Sequence, residues 1–319
     1  MFDFLCKINI GDIDLTDERY KISFSQKDIN FLAHSIRQAG LIIPPIVRPL
    51  NNKFIIISGF NRIRAFIYNN ETKIDAFQTK VDITDYQCLI KSIAAFAFQQ
   101  PLTHAELILS TRRLHQFLDK KEIAEKSSAI FNIELNTRFI EDLVAIGGLS
   151  DPALELIHSG NLSFKAAKRL VLYEKETIKT FTNIFSKIKA SSNKQLEIIL
   201  HIMEIAARDS IKPIDLYANK EIQAILFDEN KEPGVKTNQL RAWLFEQRFP
   251  TIFKTHQKVL EKITAIKLGN KIKFLPPQNF ESQNYSISFT AKNYNEFVTN
   301  IQSLNAALEN KELKKIFNQ

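Results

Sequence analysis

The sequence predicts a mostly helical α+β protein with a small α/β N-terminal domain, a helical middle domain and an α+β C-terminal domain. Three observations support this class. The chain has 319 residues, enough for two or three domains of about 100–200 residues each. Its 45% hydrophobic and 24% charged residues are ordinary for a globular protein and argue against a long disordered tail or a rod. Strand-like runs are short, and helical spacing dominates the remaining sequence.

The predicted N-terminal domain, residues 1–100, opens with a helix. Ser25 and Asp28 have the spacing of a capping box, with Ser25 as the N-cap, and Gly40 ends the helix. A β-hairpin follows, because two strand-like runs are separated only by two asparagines, which tolerate the positive φ of a tight turn. The predicted strands are residues 46–50, 53–58 and 81–83, and a further helix is predicted over residues 61–68.

The predicted middle domain, residues 101–190, contains only helices. Thr103 and Glu106 form a second capping box. Asp151 is the predicted N-cap of another helix, with Pro152 at its first position. The short loops are typical of a compact helical DNA-binding domain. Helices are predicted over residues 107–118, 120–131, 136–146, 152–160 and 163–173.

The predicted C-terminal domain, residues 191–319, combines helices with a second hairpin. Helical spacing covers residues 194–227 and 238–265, and the polar residues 228–234 between them predict a loop. Two alternating runs, residues 272–275 and 285–289, predict strands, and a helix with an apolar stripe ends the chain. Because two short strands and a helix are marginally stable alone, this region is a candidate for dimerisation.

Charge and cysteine content restrict the class of protein further. The formal charge is +8 at pH 7, a mild excess that is compatible with a nucleic-acid partner. Cys6 and Cys88 are isolated, which predicts no disulfide framework and no metal site and indicates a reducing cytoplasm. The N-terminus has no signal-peptide pattern, and the apolar runs are much shorter than the about 20 residues that span a bilayer. We expect a cytoplasmic protein with no membrane segment.

The loop after the first hairpin is a candidate anion site. A strand runs into Gly59, and a helix begins directly after it. Amide groups at a helix N-terminus attract anions, Gly59 permits close approach, and Arg62 can hold a phosphate through two nitrogens. The alternative is that Gly59 serves only the turn and Arg62 covers the surface, and these residues by themselves favour that alternative.

The two predicted helices on either side of residues 132–135 have the pattern of a helix-turn-helix. In that motif the first residues of the second helix enter the major groove. An ordinary antiparallel helix pair with a solvated basic face is the alternative. The candidate DNA-binding residues are Asn136, Thr137 and Arg138 for bases and Lys165, Lys168 and Arg169 for phosphates.

The order of these parts resembles the ParB/sulfiredoxin superfamily, and specifically ParB-like proteins with a helix-turn-helix domain. In such proteins a helix, a Gly-Leu-x-x-Pro segment and a hairpin precede a Gly-Glu-Arg-Arg-type loop. Residues 40–44 (GLIIP) match the segment, and residues 59–62 (GFNR) match the glycine and the last arginine of the loop. Residues 102–106 and 160–167 resemble later segments, so the likeness covers about residues 20–175.

The resemblance implies a ParB-like protein that binds double-stranded DNA on the bacterial nucleoid, in DNA partitioning or transcriptional regulation. It also implies a homodimer, a partition ATPase as partner and CTP as candidate cofactor. The family's metal-binding and triphosphate-binding Glu-Asn-x-x-Arg motif is replaced by residues 95–99 (AFAFQ), and apolar residues do not hold Mg²⁺. We therefore expect a degenerate CTP site and no catalytic residues. The nucleotide-binding residues that it implies are Gly40, Pro44, Gly59, Asn61, Arg62 and Arg64.

Two other classes of function stay open at this point. One is an enzyme of the same superfamily, such as a small-molecule kinase or a nuclease. A kinase needs an acid near the phosphate, and the available candidates are Asp12, Asp14, Asp17 and Glu18. A sulfiredoxin-like reaction needs a cysteine where Phe60 stands. The other class is a non-enzymatic adaptor whose basic C-terminal region binds a protein.

Overall fold

The computed structural model describes residues 4–24, 28–266, 268, 271–276 and 284–317. Helices make up 59% of the chain, and its strands form one small mixed sheet and one hairpin, which confirms the mostly helical α+β class. The chain divides into two compact units, Met1–Ile199 and Leu200–Gln319. The finer division into domains 1–100, 101–190 and 191–319 stays a prediction. No helix in the described ranges is both long enough and apolar enough to cross a membrane.

A five-stranded sheet forms the base of the first unit, in the order β1-β5-β3-β4-β2. The predicted hairpin is confirmed, because β3 and β4 pair antiparallel and the two turn residues, Asn51 and Asn52, have φ angles of 51° and 63°. β1 pairs antiparallel with β5, whereas the β3–β5 and β2–β4 pairs are parallel. The strands are β1 (Phe4–Asn9), β2 (Ile13–Asp14), β3 (Ile46–Leu50), β4 (Lys53–Ser58) and β5 (Lys73–Gln78).

The strand predicted at residues 81–83 is wrong. β-branched residues give this run its strand-like composition, but Val81 lies in a turn and is 76% exposed. The parallel pairing of β5 with β3 ends before this run, at the hydrogen bond that the Thr79 N–H donates to the Val47 carbonyl at 2.9 Å. Sequence analysis also missed β1, β2 and β5, which pair with strands that are distant along the chain.

Three helices accompany this sheet: α1 (Ile29–Ala39), α2 (Phe60–Tyr68) and α3 (Asp85–Ala97). Asp28 is the N-cap of α1, because its side chain accepts the Asn30 N–H, and the predicted N-cap Ser25 lies outside the described residues. Gly40 ends α1 with a φ of 78°, as predicted. α1 packs against α2, and α3 packs against β4. The core contains Ile8, Ile10, Ile13, Val47, Ile56, Ile63, Ile74 and Ala76.

The rest of the first unit is helical, and the Thr103–Glu106 capping box is confirmed. Several predicted boundaries are wrong, and the helix predicted to reach residue 173 ends at Leu170. The first helix ends at Leu114, and the run 120–131 is two helices, with the Ser127 hydroxyl donating to the Ala124 carbonyl at the break. The N-cap before Pro152 is Ser150 instead of Asp151. The helices are α4 (His104–Leu114), α5 (Lys120–Glu125), α6 (Ser127–Phe131), α7 (Thr137–Gly147), α8 (Asp151–His158), α9 (Phe164–Leu170), α10 (Lys175–Lys187) and α11 (Ser192–Arg208).

The second unit has more helices than the two long ones predicted. The run 194–227 is interrupted after Arg208, where Ser210 adopts a φ of 53° and Pro213 begins a new helix. Phe249 and Pro250 separate two helices within the run 238–265. Both predicted C-terminal strands are confirmed as an antiparallel pair. The elements are α12 (Pro213–Tyr217), α13 (Lys220–Leu226), α14 (Pro233–Arg248), α15 (Pro250–Ile266), β6 (Ile272–Leu275), β7 (Ser286–Phe289), α16 (Tyr294–Ala307) and α17 (Lys311–Phe317).

Candidate functional site

A cavity of about 300 Å³ lies in the first unit where β4 ends and α2 begins. Four segments form its walls. They are the β4–α2 junction, the irregular segment around Ile22, Leu32 of α1, and the C-terminal part of α3 with the two glutamines that follow it. Its lining residues are Lys21, Ile22, Ser23, Leu32, Ile57, Ser58, Gly59, Phe60, Asn61, Arg62, Ser92, Ala95, Phe96, Gln99 and Gln100.

Gly59 is required at this junction for two reasons. Its φ of 93° is a conformation that side-chain-bearing residues rarely adopt. A Cβ atom there would also lie 2.8 Å from Pro45 Cβ and 2.9 Å from Pro45 Cα, closer than packed atoms approach. The Gly59 carbonyl accepts the first N–H bonds of α2, from Arg62 and Ile63. The glycine therefore lets α2 begin directly against the loop that contains Pro45.

Arg62 lies on the first turn of α2 and is half-buried. Its Nη1 donates to the carbonyls of Ile43 and Pro44, both at 3.1 Å, which ties α2 to the loop after α1. Burial lowers the pKa of the Arg62 guanidinium from its usual value. Among the described residues, no carboxylate forms an ion pair with it. The cavity thus contains a cationic group whose charge is balanced only by backbone dipoles.

The residues that α3 and the segment after it contribute to the cavity carry no charge. Ala95 and Phe96 of α3 line the cavity, and Gln99 lines it from just beyond the helix. The Ser92 hydroxyl is already used, because it donates to the Tyr20 carbonyl at 2.6 Å. No carboxylate lines the cavity within the described part of the chain. Since Mg²⁺ needs oxygen ligands that usually include one or two carboxylates, the residues present do not fit a metal-bound triphosphate.

The predicted nucleotide-binding residues do not all meet at this cavity. Gly59, Asn61 and Arg62 line it, and Pro44 contributes a carbonyl to Arg62. Gly40 lines a different concavity, which Arg37 and Asn69 also border. Arg64 is exposed on α2 and is not among the lining residues. Their assignment to a nucleotide stays a prediction.

The segment that contains Tyr20 and Lys21 also lines the cavity, and no sequence pattern predicted its role. Tyr20 anchors it, because its hydroxyl donates to Asp85 at 2.7 Å and accepts from Arg48 at 3.0 Å. From α4, the Arg113 guanidinium donates to the Lys21 carbonyl at 2.7 Å, and burial lowers the pKa of Arg113 to about 10. These partners are 28 to 92 residues apart in sequence, so no local pattern marks them.

The predicted helix-turn-helix corresponds to α5, α6 and α7. Ile123, Ile140 and Leu143 are fully buried, and α5 packs directly against α7. Thr137 and Arg138 lie exposed on the first turn of α7. This packing leaves the beginning of α7 on the surface, where a second helix of this motif contacts bases.

Three of the six predicted DNA contacts already have partners within the protein. The Asn136 side chain accepts the Phe139 N–H at 2.8 Å, so this residue is the N-cap of α7. Lys168 forms an ion pair with Asp142 at 2.6 Å, which holds α9 against α7. Arg169 donates to the Tyr173 hydroxyl at 3.0 Å. Lys165 is exposed on α9. Thr137, Arg138 and Lys165 are therefore the candidates best placed to contact a ligand outside the protein.

No group of three or more His, Cys, Asp or Glu side chains that can hold a metal ion occurs in the described ranges. Cys6 and Cys88 are free thiols, and Cys88 is fully buried. Burial raises the pKa of both thiols. Their low thiolate content at neutral pH gives neither cysteine the character of a nucleophile.

Comparisons with known proteins identify the N-terminal part. Residues 4–95 match the family model of the ParB N-terminal domain. Two curated relatives are each described as a probable chromosome-partitioning protein ParB. The Campylobacter jejuni protein is 32% identical over 166 residues, which cover 51% of this chain and 57% of that protein. The Borreliella burgdorferi protein is 22% identical over 242 residues, covering 75% and 83%. The chain thus matches little more than half the length of the Campylobacter relative.

Solved structures with similarity to this chain are also ParB proteins. The C-terminally truncated ParB of Caulobacter crescentus complexed with CTP-γ-S is 18% identical, with a TM-score of 0.28, and covers 55% of this chain and 97% of that one. The same protein complexed to the centromeric parS site is 16% identical, with a TM-score of 0.35, covering 56% and 91%. A Pnob8-like ParB-N domain is 13% identical, with a TM-score of 0.38, covering 76% and 97%.

Proposed function

We propose that this chain, a ParB-like protein with a ParB N-terminal domain over residues 4–95, binds duplex DNA in DNA partitioning. The observation that supports this proposal most directly is the exposure of the first turn of α7. This helix packs against α5 through buried residues and lies beside the basic helix α9. The printed names of the curated relatives, which are chromosome-partitioning proteins, support the same function. Regulation of transcription is a second outcome of DNA binding that this proposal includes.

The contacts assign different roles to the basic residues. Arg138 has the exposure and position to read a base edge, and arginine pairs with guanine through two hydrogen bonds. Lys165 and the exposed α10 residues Lys175 and Lys179 supply charge for phosphates, which adds affinity without sequence preference. Lys168 contributes less, because Asp142 already compensates its charge.

The cavity beside Gly59 is the degenerate remainder of a nucleotide site in this proposal. Arg62 retains the phosphate-binding half, and the neutral α3 wall lacks the metal-binding half. The proposal includes a homodimer through the second unit, where Ile287 of β7 and Phe297 of α16 are each 47% exposed. It also includes a partition ATPase as partner and a location on the nucleoid in the cytoplasm.

Salt dependence of duplex DNA binding tests the proposal. Each phosphate that the protein neutralises contributes about −0.9 to the slope of log affinity against log salt. We expect Lys165→Ala to reduce this slope by about 0.9 and Lys168→Ala to reduce it by less. Lys73→Gln, which removes a charge from β5, is the matched control and leaves the slope unchanged. An affinity that does not vary with salt would instead favour a protein-binding adaptor.

A further inference from the structure

The residues that line the cavity beside Gly59 carry an excess of positive charge. Arg62 and Lys21 are its only charged lining residues in the described ranges, and both are cationic. Arg62 is half-buried without a carboxylate partner. Lys21 pairs with Glu18 at 2.6 Å, but the Glu18 side chain is 52% exposed, so the pair is solvated and easily exchanged. Two cationic residues that line one open cavity attract an anion of about two charges.

A phosphate monoester has the matching charge. It carries about 1.5 to 2 negative charges at pH 7 and offers three acceptor oxygens. A triphosphate carries more negative charge, which proteins usually balance with Mg²⁺ that one or two carboxylates hold in place. Because no carboxylate lines this cavity, the structure offers no place for that metal.

The neutral walls match the rest of a mononucleotide. Phe60 and Phe96 are the aromatic residues among those that line the cavity, and Phe60 also packs against the core of the sheet. An aromatic side chain at such a site offers a surface on which a base can stack. Asn61, Gln99 and Gln100 add amide donors and acceptors for a base edge or a ribose. The cavity volume of about 300 Å³ is at the lower limit for small-molecule sites, which favours a compact ligand.

We propose that this cavity binds a nucleoside monophosphate without a divalent cation. The inference rests on the proposed function, because it names the ligand of the same degenerate site. The inference goes beyond the proposed function by naming the ligand. Because α3 supplies no carboxylate to hold a metal, we expect a metal-free monophosphate instead of a metal-bound triphosphate.

Titration calorimetry of the full chain with the four nucleoside monophosphates and with CTP, each in EDTA and in MgCl₂, tests the proposal. We expect at least one monophosphate to bind with the same Kd in both buffers, and CTP to bind no more tightly in MgCl₂ than in EDTA. Arg62→Gln should weaken monophosphate binding by about tenfold or more, since a charge-assisted contact is lost. Lys53→Gln, which removes an exposed positive charge at the other end of β4 and outside the cavity, is the control.

A second variant covers the case in which Arg62→Gln disturbs the loop that Arg62 ties down. Ala95→Phe fills the cavity from α3 without touching Arg62, and it should abolish monophosphate binding. Absence of monophosphate binding, Mg²⁺-dependent CTP binding, or unchanged binding in both variants would overturn the proposal. DNA affinity measured on the same preparations separates the two ideas, because retained DNA binding without nucleotide binding refutes only the monophosphate, and the reverse refutes only the proposed function.

Discussion

Two helix beginnings in the first unit carry an arginine, and the protein uses them in opposite ways. Arg62, at the beginning of α2, is half-buried and donates to the carbonyls of Ile43 and Pro44. Arg138, at the beginning of α7, is exposed. The first region is held by close contacts within the protein, and the second leaves its polar groups on the surface. An arginine in the first turn of a helix therefore does not by itself define a ligand site.

The largest effect is expected at the tightly packed region. Gly59→Ala forces a side chain into a left-handed conformation, which costs about 1–2 kcal/mol, and against Pro45, where overpacking adds about 1–3 kcal/mol. Gly160→Ala shares the positive φ, here 75°, but meets no atom within 4 Å, so only the first cost applies. Gly234→Ala has neither and is the control. Denaturant unfolding of the three variants separates strain from steric clash, and equal losses for Gly59→Ala and Gly160→Ala would contradict the packing argument.

A smaller effect is expected at the open region. Arg138→Ala should remove preference at one base position, worth about 1–3 kcal/mol of discrimination, and leave non-specific binding nearly unchanged. Asn136→Ala should instead lower the free energy of unfolding by about 1 kcal/mol, because its side chain caps α7. Selection from a randomised duplex library, with thermal unfolding of both variants, measures the two effects. If Arg138→Ala selects the same sequence as the unmodified protein, α7 does not read bases.

The smallest effect concerns the wall of the cavity. Burial raises the pKa of the Tyr20 phenol, and its hydrogen bond to Asp85 raises it further. Above the ordinary tyrosine pKa of about 10, the unfolded chain ionises at this residue while the folded chain stays protonated. The stability that Tyr20 contributes is therefore fully present below pH 10 and falls as pH rises, by up to about 1.4 kcal/mol per pH unit.

Unfolding free energies measured across this range for the unmodified protein and Tyr20→Phe provide the test. We expect the advantage of the unmodified protein to shrink by about 1 kcal/mol one unit above the ordinary tyrosine pKa. Tyr68→Phe, which removes a phenol that is 57% exposed, is the control for the loss of a tyrosine hydroxyl at the surface. A constant difference between the unmodified protein and Tyr20→Phe would mean that Tyr20 ionises as freely in the folded protein as in water.

Local signals in the sequence were sufficient for several elements. The Asn51 and Asn52 turn, the Thr103 capping box and Gly40 as a helix end depend on interactions within a few residues, and the structure confirms each. Strand β1 could not be predicted in this way, because its pairing partner β5 is about 70 residues away. The helix ends at Leu114 and Arg248 were also missed, although Pro250 is a local signal for the second of them, because helices usually end at or before the residue that precedes a proline.

Three features of the candidate sites could be predicted from local patterns in the sequence. They are the glycine and arginine at the beginning of one helix, the basic run, and the apolar segment that replaces acidic residues. Only the tertiary structure decided which of these side chains remain available. It assigned Asn136 to a cap and Lys168 to Asp142, and it placed Lys21 and Arg62 around one cavity while leaving Gly40 and Arg64 outside it. Availability depends on hydrogen bonds and burial between residues that are distant in sequence, and those contacts exist only once the chain has folded.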